Sequence, residues 1–259
     1  MPRFAANLSM MFNELPFLDR FAAAADAGFE GVEFLFPYRE KPAVVAGKLR
    51  GAGLEQVLFN MPPGDWERGE RGIATLPGRE REFEDGVEQA LEFAEVLGCP
   101  RLHMMAGIPG EVAHEDAWRC YVDNLRRAAE LAAPCGCKIM LEPINNRDMP
   151  GYFMNLSGDA RRALEQAGAD NTGLQFDLYQ CQIMEGDLGR HLRELMPIVE
   201  HMQIAGVPGR HEPDVGEINH PFLFDLIDEL GYEGWIGCEY RPRAETVAGL
   251  GWFERARRV

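Results

Sequence analysis

Four strand-like segments in the second half of the chain end on side chains that carry an oxygen atom. A hydrophobic segment runs into Glu142, and a proline follows, which stops the strand because it has no N–H to donate. Three later segments end on Asp177, Gln203 and Glu239. A carboxylate at the end of a hydrophobic strand is costly unless something pairs with it. We therefore interpret these four residues as one site.

The chemistry of that site follows from its donor atoms. Three carboxylates and one amide oxygen would repel one another without a cation, and oxygen ligands suit Mg²⁺ or Mn²⁺ rather than zinc. The alternative is that each acid pairs with its own arginine. A cation bound to adjacent carbonyl and hydroxyl oxygens acidifies the C–H between them. Glu142 and Glu239 then form a pair in which one glutamate takes the proton and the other returns it at the neighbouring carbon, while Asp177 and Gln203 hold the ion.

The elements that must position these residues alternate regularly along the chain. Eight predicted strands that alternate with helices in 259 residues indicate a parallel sheet and favour a closed (β/α)₈ barrel of the α/β class, with active-site residues at the strand ends. The rival is an open doubly wound sheet, but no G-x-G-x-x-G turn follows the first strand. No linker divides the chain, so we expect one domain over 1–259. The predicted strands are 3–8, 29–36, 54–60, 100–106, 138–142, 173–177, 199–204 and 235–239, and the predicted helices are 16–27, 41–52, 79–97, 116–133, 157–167, 188–196 and 221–230.

Composition and charge limit the classes of partner that the protein is expected to bind. The net charge of −16 argues against nucleic acid or an anionic membrane as the main partner, although a small anionic substrate senses only the field of its own pocket. The six cysteines are scattered, which is typical of reduced thiols in a cytosolic protein. No signal peptide or long apolar run is present. We expect a cytoplasmic protein; both a monomer and a homo-oligomer stay open.

Candidate substrate contacts lie in the loops and on strand four. Arg210 is the first choice for a substrate carboxylate, because its planar guanidinium matches that group, and a pair with Glu212 or Asp214 is the alternative. His103, at the end of strand four, is a candidate hydrogen-bond partner of the substrate or a satisfied core histidine. We expect Glu33 to pair inside the barrel. The loop at 61–78 is rich in glycine and proline and is interpreted as a lid.

Several motifs make the sequence similar to one known family. They are AANLSMMF at 5–12, VEFLFP at 32–37, LPGRE at 76–80, QIAG at 203–206, RHEPD at 210–214, GEIN at 216–219 and GCEY at 237–240. From about residue 3 to residue 253 the chain resembles the hydroxypyruvate isomerases and their relatives, the 2-oxo-tetronate isomerases, which belong to the xylose-isomerase-like TIM barrels.

The resemblance implies a barrel fold, a divalent metal on Glu142, Asp177, Gln203 and Glu239, and proton transfer by the two glutamates. One departure concerns substrate binding: relatives usually carry His where this chain has Gln180. We predict a metal-assisted isomerase that interconverts hydroxypyruvate and tartronate semialdehyde. The alternatives are a 2-oxo-tetronate isomerase, an epimerase or dehydratase on the same barrel, a metal-dependent phosphoester hydrolase and a non-catalytic sugar-binding barrel.

Overall fold

The computed structural model describes residues 2–257. Its eight strands form a closed barrel in which every strand is parallel to the next one along the chain, and the last strand pairs with the first. The (β/α)₈ prediction is therefore confirmed. The strands are β1 (Arg3–Asn7), β2 (Gly31–Phe34), β3 (Glu55–Asn60), β4 (Arg101–His103), β5 (Lys138–Leu141), β6 (Thr172–Asp177), β7 (Val199–Ile204) and β8 (Trp235–Cys238).

Helices follow the strands and form the outer layer. Gly53 and Gly98 end the second and third helices in the left-handed conformation, with φ of 67° at both positions, which glycine adopts without a Cβ penalty. The helices are α1 (Arg20–Asp26), α2 (Pro42–Ala52), α3 (Glu80–Leu97), α4 (His114–Ala132), α5 (Ser157–Ala167), α6 (Leu178–Met184), α7 (Leu188–Leu195), α8 (His220–Glu229) and α9 (Gly251–Ala256).

Most predicted elements are present, with differences at their ends. The first predicted helix begins as a 3₁₀ turn at Phe17–Asp19 and becomes α-helical only at Arg20. β2 and β4 are shorter than predicted. Two helices, α6 and α9, were missed. The 61–78 segment is irregular apart from a 3₁₀ turn at Trp66–Arg68, in agreement with the predicted loop.

The barrel interior has two layers. Ala5, Met140 and Trp235 belong to a small apolar cluster, and they precede Asn7, Glu142 and Glu239 by two or four residues on the same inward face. The interior is thus apolar below and polar at the carboxyl ends of the strands, where the site lies. The outward residues of the last four strands pack against the helices, as predicted: Ile139, Leu141, Phe176, Met202, Ile204, Ile236 and Cys238. Within residues 2–257, the helices are too short or too polar to cross a bilayer.

Candidate active site

Three of the four predicted strand-end residues converge closely. Glu142, Asp177 and Glu239 each place a carboxylate oxygen within 4.8 Å of the others, and all three side chains are buried. We call these residues the acid cluster. The fourth, Gln203, joins it through Gln175, whose Nε2 donates to Gln203 Oε1 at 2.6 Å and to Glu142 Oε2 at 3.0 Å. Barrel closure thus brings the ends of β5 to β8 together, as the sequence predicts.

The acid cluster is electrostatically crowded. Burial, followed by the negative charges of Glu239 and Asp177, raises the pKa of Glu142 well above its usual range. Burial also raises the pKa of Glu239 to about 8 and that of Asp177 to about 6, although Arg210 opposes both shifts. Asp177 Oδ2 is buried and accepts no hydrogen bond from residues 2–257. Such a group of oxygen donors suits a hard divalent cation, which would relieve the repulsion.

Arg210 reaches the acid cluster from the loop after β7. Its Nη2 contacts Glu239 Oε2 and lies 3.7 Å from Asp177 Oδ2, and its Nε donates to the backbone oxygen of Glu239 at 3.3 Å. Its φ of 54° is unusual for a residue with a side chain, and its carbonyl oxygen accepts a 2.7 Å hydrogen bond from the backbone N–H of Arg241. The backbone is therefore held in a conformation that turns the guanidinium inward.

The expected alternative partners of Arg210 are engaged elsewhere. Glu212 pairs with Arg243 at 3.3 Å, and Asp214 pairs with Arg255 at 2.6 Å. The idea that every acid has its own arginine holds only in part. Arg210 serves Glu239 and approaches Asp177, whereas no arginine or lysine among residues 2–257 lies within 4.0 Å of a carboxylate oxygen of Glu142.

His103 lies beside Glu142, where the sequence places it. Its Nδ1 is 3.5 Å from Glu142 Oε2, and burial, followed by the charge of His201, lowers the pKa of His103 to about 3. Neither of its ring nitrogens makes a hydrogen bond within the described part of the chain. A neutral imidazole with free nitrogens is available to a bound molecule, so the core-histidine alternative, which requires satisfied nitrogens, is the weaker one.

Gln180 stands on α6, the helix that the sequence analysis missed. Asp177 begins this helix by accepting a hydrogen bond from the backbone N–H of Tyr179 at 2.8 Å, which identifies it as the N-cap. Gln180 Oε1 accepts hydrogen bonds from the backbone and side chain of Asn145, and its Nε2 lies 3.5 Å from Glu142 Oε1. With its oxygen occupied, Gln180 presents an N–H donor to the site.

A layer of polar side chains lies under the acid cluster. Glu33 bonds to Asn7 at 2.8 Å, to His201 at 2.7 Å and to Gln203 at 2.7 Å, which confirms its pairing inside the barrel. Asn7 also approaches Glu239 at 3.4 Å. The sequence pattern places Gln175 and His201 on the inward face but indicates no role for either. The alternation of inward and outward side chains along β6 and β7 is the feature of the sequence that points to these two residues.

The predicted lid is an ordered loop. The Trp66 ring lies 5.1 Å from the Phe36 ring, and the Arg71 guanidinium lies 3.9 Å from the Trp66 ring. Glu70 pairs with Arg79 at the start of α3. These contacts fix the loop; its closing over a substrate stays a prediction.

Comparison with known proteins identifies the family. A family model described as xylose isomerase-like TIM barrel matches residues 21–256, so the chain belongs to that family. The chain is an isomerase that resembles hydroxypyruvate isomerases and 2-oxo-tetronate isomerases over its full length. It is 56% identical to the 2-oxo-tetronate isomerase of Cupriavidus necator, with 98% of each chain covered. It is 42% identical to the hydroxypyruvate isomerase of Escherichia coli, with 98% of this chain and 99% of that one covered.

Solved structures agree on the fold. A crystal structure from Brucella melitensis, titled AP endonuclease, family 2, is 50% identical, has a TM-score of 0.97 and covers 98% of this chain and 99% of its own. An L-ribulose 3-epimerase structure reaches a TM-score of 0.81 at 20% identity, over 100% of this chain and 96% of its own, and it indicates a common fold only.

Proposed function

We propose that the protein interconverts the two isomers of a short 2-oxo acid that carries a hydroxyl on C3. The observation that supports this most directly is the acid cluster, in which Glu142 and Glu239 come from strands separated by β6 and β7 and yet face one small volume. Two glutamates on different sides of a bound carbon pair suit proton removal at one carbon and proton delivery at the other.

The four-carbon 2-oxo-tetronate is our first substrate and the three-carbon hydroxypyruvate our second. From the sequence motifs alone, hydroxypyruvate is the first substrate. The relative at 56% identity is named for 2-oxo-tetronate, while seven further relatives under either name are 41–47% identical. That difference in identity supports the four-carbon acid.

We further propose that Mg²⁺ or Mn²⁺ is held by the carboxylate oxygens of Glu142, Asp177 and Glu239 with the amide oxygen of Gln203. The residues fit such an ion: the donors are oxygens, the acids repel one another, and Asp177 Oδ2 is buried without a hydrogen-bond donor among residues 2–257. When bound, a divalent ion supplies Lewis-acid polarisation of substrate oxygens and offsets developing negative charge.

The two glutamates have different roles in proton transfer. Within residues 2–257 Arg210 contacts Glu239 but not Glu142 and opposes the raised pKa of Glu239, so of the two glutamates Glu239 is the base that removes the C3 proton. The electrons of the C3–H bond form a C2=C3 double bond, and the C2 carbonyl becomes a hydroxyl as the O3 proton moves to O2. Glu142, which has no guanidinium partner within residues 2–257 and has a raised pKa, is the acid that protonates C2. The atoms of substrate and product are the same, and the reverse reaction exchanges the two roles.

Three side chains orient the substrate in this proposal. Arg210 binds the substrate carboxylate. The hydrogen bonds that its guanidinium makes with residues 2–257 use Nε and Nη2, so the edge that carries Nη1 is left for the substrate. His103 and the N–H donor of Gln180, both next to Glu142, contact the oxygens on C2 and C3. Burial of these groups keeps water from the enediolate intermediate.

Two other reactions fit less well. A phosphoester hydrolase of this fold would need a second metal and several histidine ligands, yet only His103 lies beside the acid cluster among the residues that the structure describes. An epimerase would use the same two glutamates but return the proton to the carbon that lost it. The position of solvent hydrogen in the product separates that reaction from an isomerisation.

The test is turnover in deuterated water with Mg²⁺, followed by NMR, on 2-oxo-tetronate and on hydroxypyruvate. Because two different glutamates exchange with solvent, we expect one deuterium at C2 of the isomerised product, and faster turnover of the four-carbon acid. Glu142→Gln serves as the control for non-enzymatic exchange. Deuterium at C3 without a shift of the carbonyl would indicate an epimerase, and exchange in neither acid would refute the proposal.

A further inference from the structure

Glu33 occupies the centre of the polar layer, and its side chain is completely buried (0% exposed). Its Oε1 accepts hydrogen bonds from Asn7 Nδ2 at 2.8 Å and Gln203 Nε2 at 2.7 Å, and its Oε2 lies 2.7 Å from His201 Nε2. Within residues 2–257 no lysine or arginine lies within 4.0 Å of it. A buried carboxylate costs stability, and the apolar layer below shows that hydrophobic side chains can fill this barrel. Its presence therefore points to a role in the site.

Strand β8, two strands away around the barrel, leaves room for this carboxylate. Gly237 lies on the inward face of β8, and a Cβ atom at that position would come within 2.2–2.4 Å of the carboxylate atoms of Glu33. Any larger residue there would have to displace them. The space is thus shaped for a carboxylate at this point.

The contact with Glu33 decides which end of the Gln203 amide faces the acid cluster. Glu33 Oε1 accepts hydrogen bonds from both Asn7 Nδ2 and Gln203 Nε2, so the NH₂ end of Gln203 faces Glu33. Its oxygen then faces the other way, where it accepts from Gln175 Nε2, which also donates to Glu142. Without Glu33, the amides of Gln203 and Gln175 could turn together, because the NH₂ and oxygen ends of an amide have nearly the same shape.

We propose that Glu33 is a positioning residue that holds the Gln203 amide with its oxygen toward a divalent cation bound by the acid cluster. This inference rests on the proposed cation site. An amide turned the other way would present N–H hydrogens to the ion, which is repulsive. Glu33 therefore contributes to cation binding without touching the ion.

The experiment is titration of the metal-free protein with Mn²⁺ by calorimetry. Glu33→Gln keeps the shape but adds a donor, so that the Gln203 amide is no longer forced into one orientation. We expect Mn²⁺ affinity to fall by about 10–100-fold, the usual effect of removing a group that orients a ligand. The matched control is Glu200→Gln, which removes an outward carboxylate from the same strand as Gln203, paired with Lys138 at 2.6 Å, and should leave Mn²⁺ affinity unchanged.

Exchanging the charge between positions 33 and 203 separates an effect of amide orientation from general damage to the protein. In the double variant Glu33→Gln with Gln203→Glu, position 203 offers oxygen at both terminal atoms, so its orientation no longer matters, and the total charge is that of the wild type. We expect Mn²⁺ affinity to return to at least that of wild type, because position 203 then offers a carboxylate oxygen to the ion in either orientation.

Each result bears on the inference. If wild-type protein binds no Mn²⁺, the proposed cation site itself is wrong. If it binds Mn²⁺ and Glu33→Gln binds equally well, only the role of Glu33 is wrong, and failure of the double variant to recover affinity overturns that role too. Should Glu33→Gln not fold, ¹⁵N-glutamine NMR of the Mg²⁺-loaded wild type decides: the Gln203 side-chain protons, assigned with Gln203→Glu, should be protected from solvent exchange, and fast exchange refutes the inference.

Discussion

Replacing Arg210 with methionine should weaken substrate binding and strengthen cation binding in the same protein. The guanidinium contacts Glu239 and lies 3.7 Å from Asp177 Oδ2, so in the metal-free protein it neutralises the carboxylates that a cation would use. The same group is the proposed partner of the substrate carboxylate. Methionine keeps the volume and removes both interactions.

The two effects have opposite signs and calculable sizes. Loss of a hydrogen bond between charged groups costs about 1.5–3 kcal/mol, which corresponds to a rise in KM of about 10–150-fold. For the cation, Coulomb's law gives roughly 7 kcal/mol of repulsion between a unit charge and a divalent ion about 5 Å apart at an effective dielectric constant of about 20. Proton uptake by the acids offsets part of this gain, because Arg210 also opposes the raised pKa values of Glu239 and Asp177. We therefore expect Mn²⁺ to bind about 10-fold more tightly at a pH above 8. This change corresponds to a gain in binding free energy of about 1.4 kcal/mol, the same as one pKa unit.

Calorimetry measures the affinity for Mn²⁺, and steady-state kinetics with 2-oxo-tetronate measure KM. Arg210→Lys is the control: it keeps the charge, so Mn²⁺ affinity should stay near that of wild type while KM rises less than in Arg210→Met. Weaker Mn²⁺ binding together with an unchanged KM in Arg210→Met would show that Arg210 only supports the loop and would refute the reasoning.

Further predictions concern the acids and the barrel interior. Glu142→Gln and Glu239→Gln should each lower kcat by about 10²–10⁴-fold, because each removes a proton-transfer group, with the circular dichroism spectrum unchanged; a near-normal rate in either would contradict the assignment. The raised pKa of Glu239, about 8, means that the folded protein holds this proton more tightly than the unfolded chain. The contribution of Glu239 to stability is full below the unfolded pKa of about 4 and is lost as the pH rises through about 8. Tm in EDTA should therefore fall between these two pH values, and it should fall less steeply in Glu239→Gln. Over the same pH range, the gain in Tm on adding Mn²⁺ should grow. A Tm in EDTA that rises over this window would refute that reasoning. Gly237→Ala should cost about 1–3 kcal/mol in urea unfolding, because its Cβ would overlap Glu33. The control is the exposed helical variant Gly47→Ala, whose Cβ would meet no atom of residues 2–257 within 4 Å apart from its chain neighbours and the nearby helix backbone; it should instead stabilise the protein by about 0.5–1 kcal/mol. Equal effects in both variants would exclude the overlap.

Local patterns in the sequence were enough to predict the barrel and the acids at its rim. Alternation with a period of two decides which face of each strand a side chain occupies, and this is why Glu142, Asp177, Gln203 and Glu239 could be assigned to one interior. Helix ends at glycine, such as Gly98, marked the repeat. These signals are local, so they survive without knowledge of the fold.

Partner choice and amide orientation depended on tertiary structure. Glu33 and His201 are 168 positions apart, and only closure of the barrel between β1 and β8 brings them together. Arg210 had nearer acids in its own loop but contacts Glu239, because its backbone conformation turns it inward. The sequence alone thus determined which side chains face the interior, through periodicity, while the packed barrel decided which of them touch, because contacts between distant segments arise only when the whole chain folds.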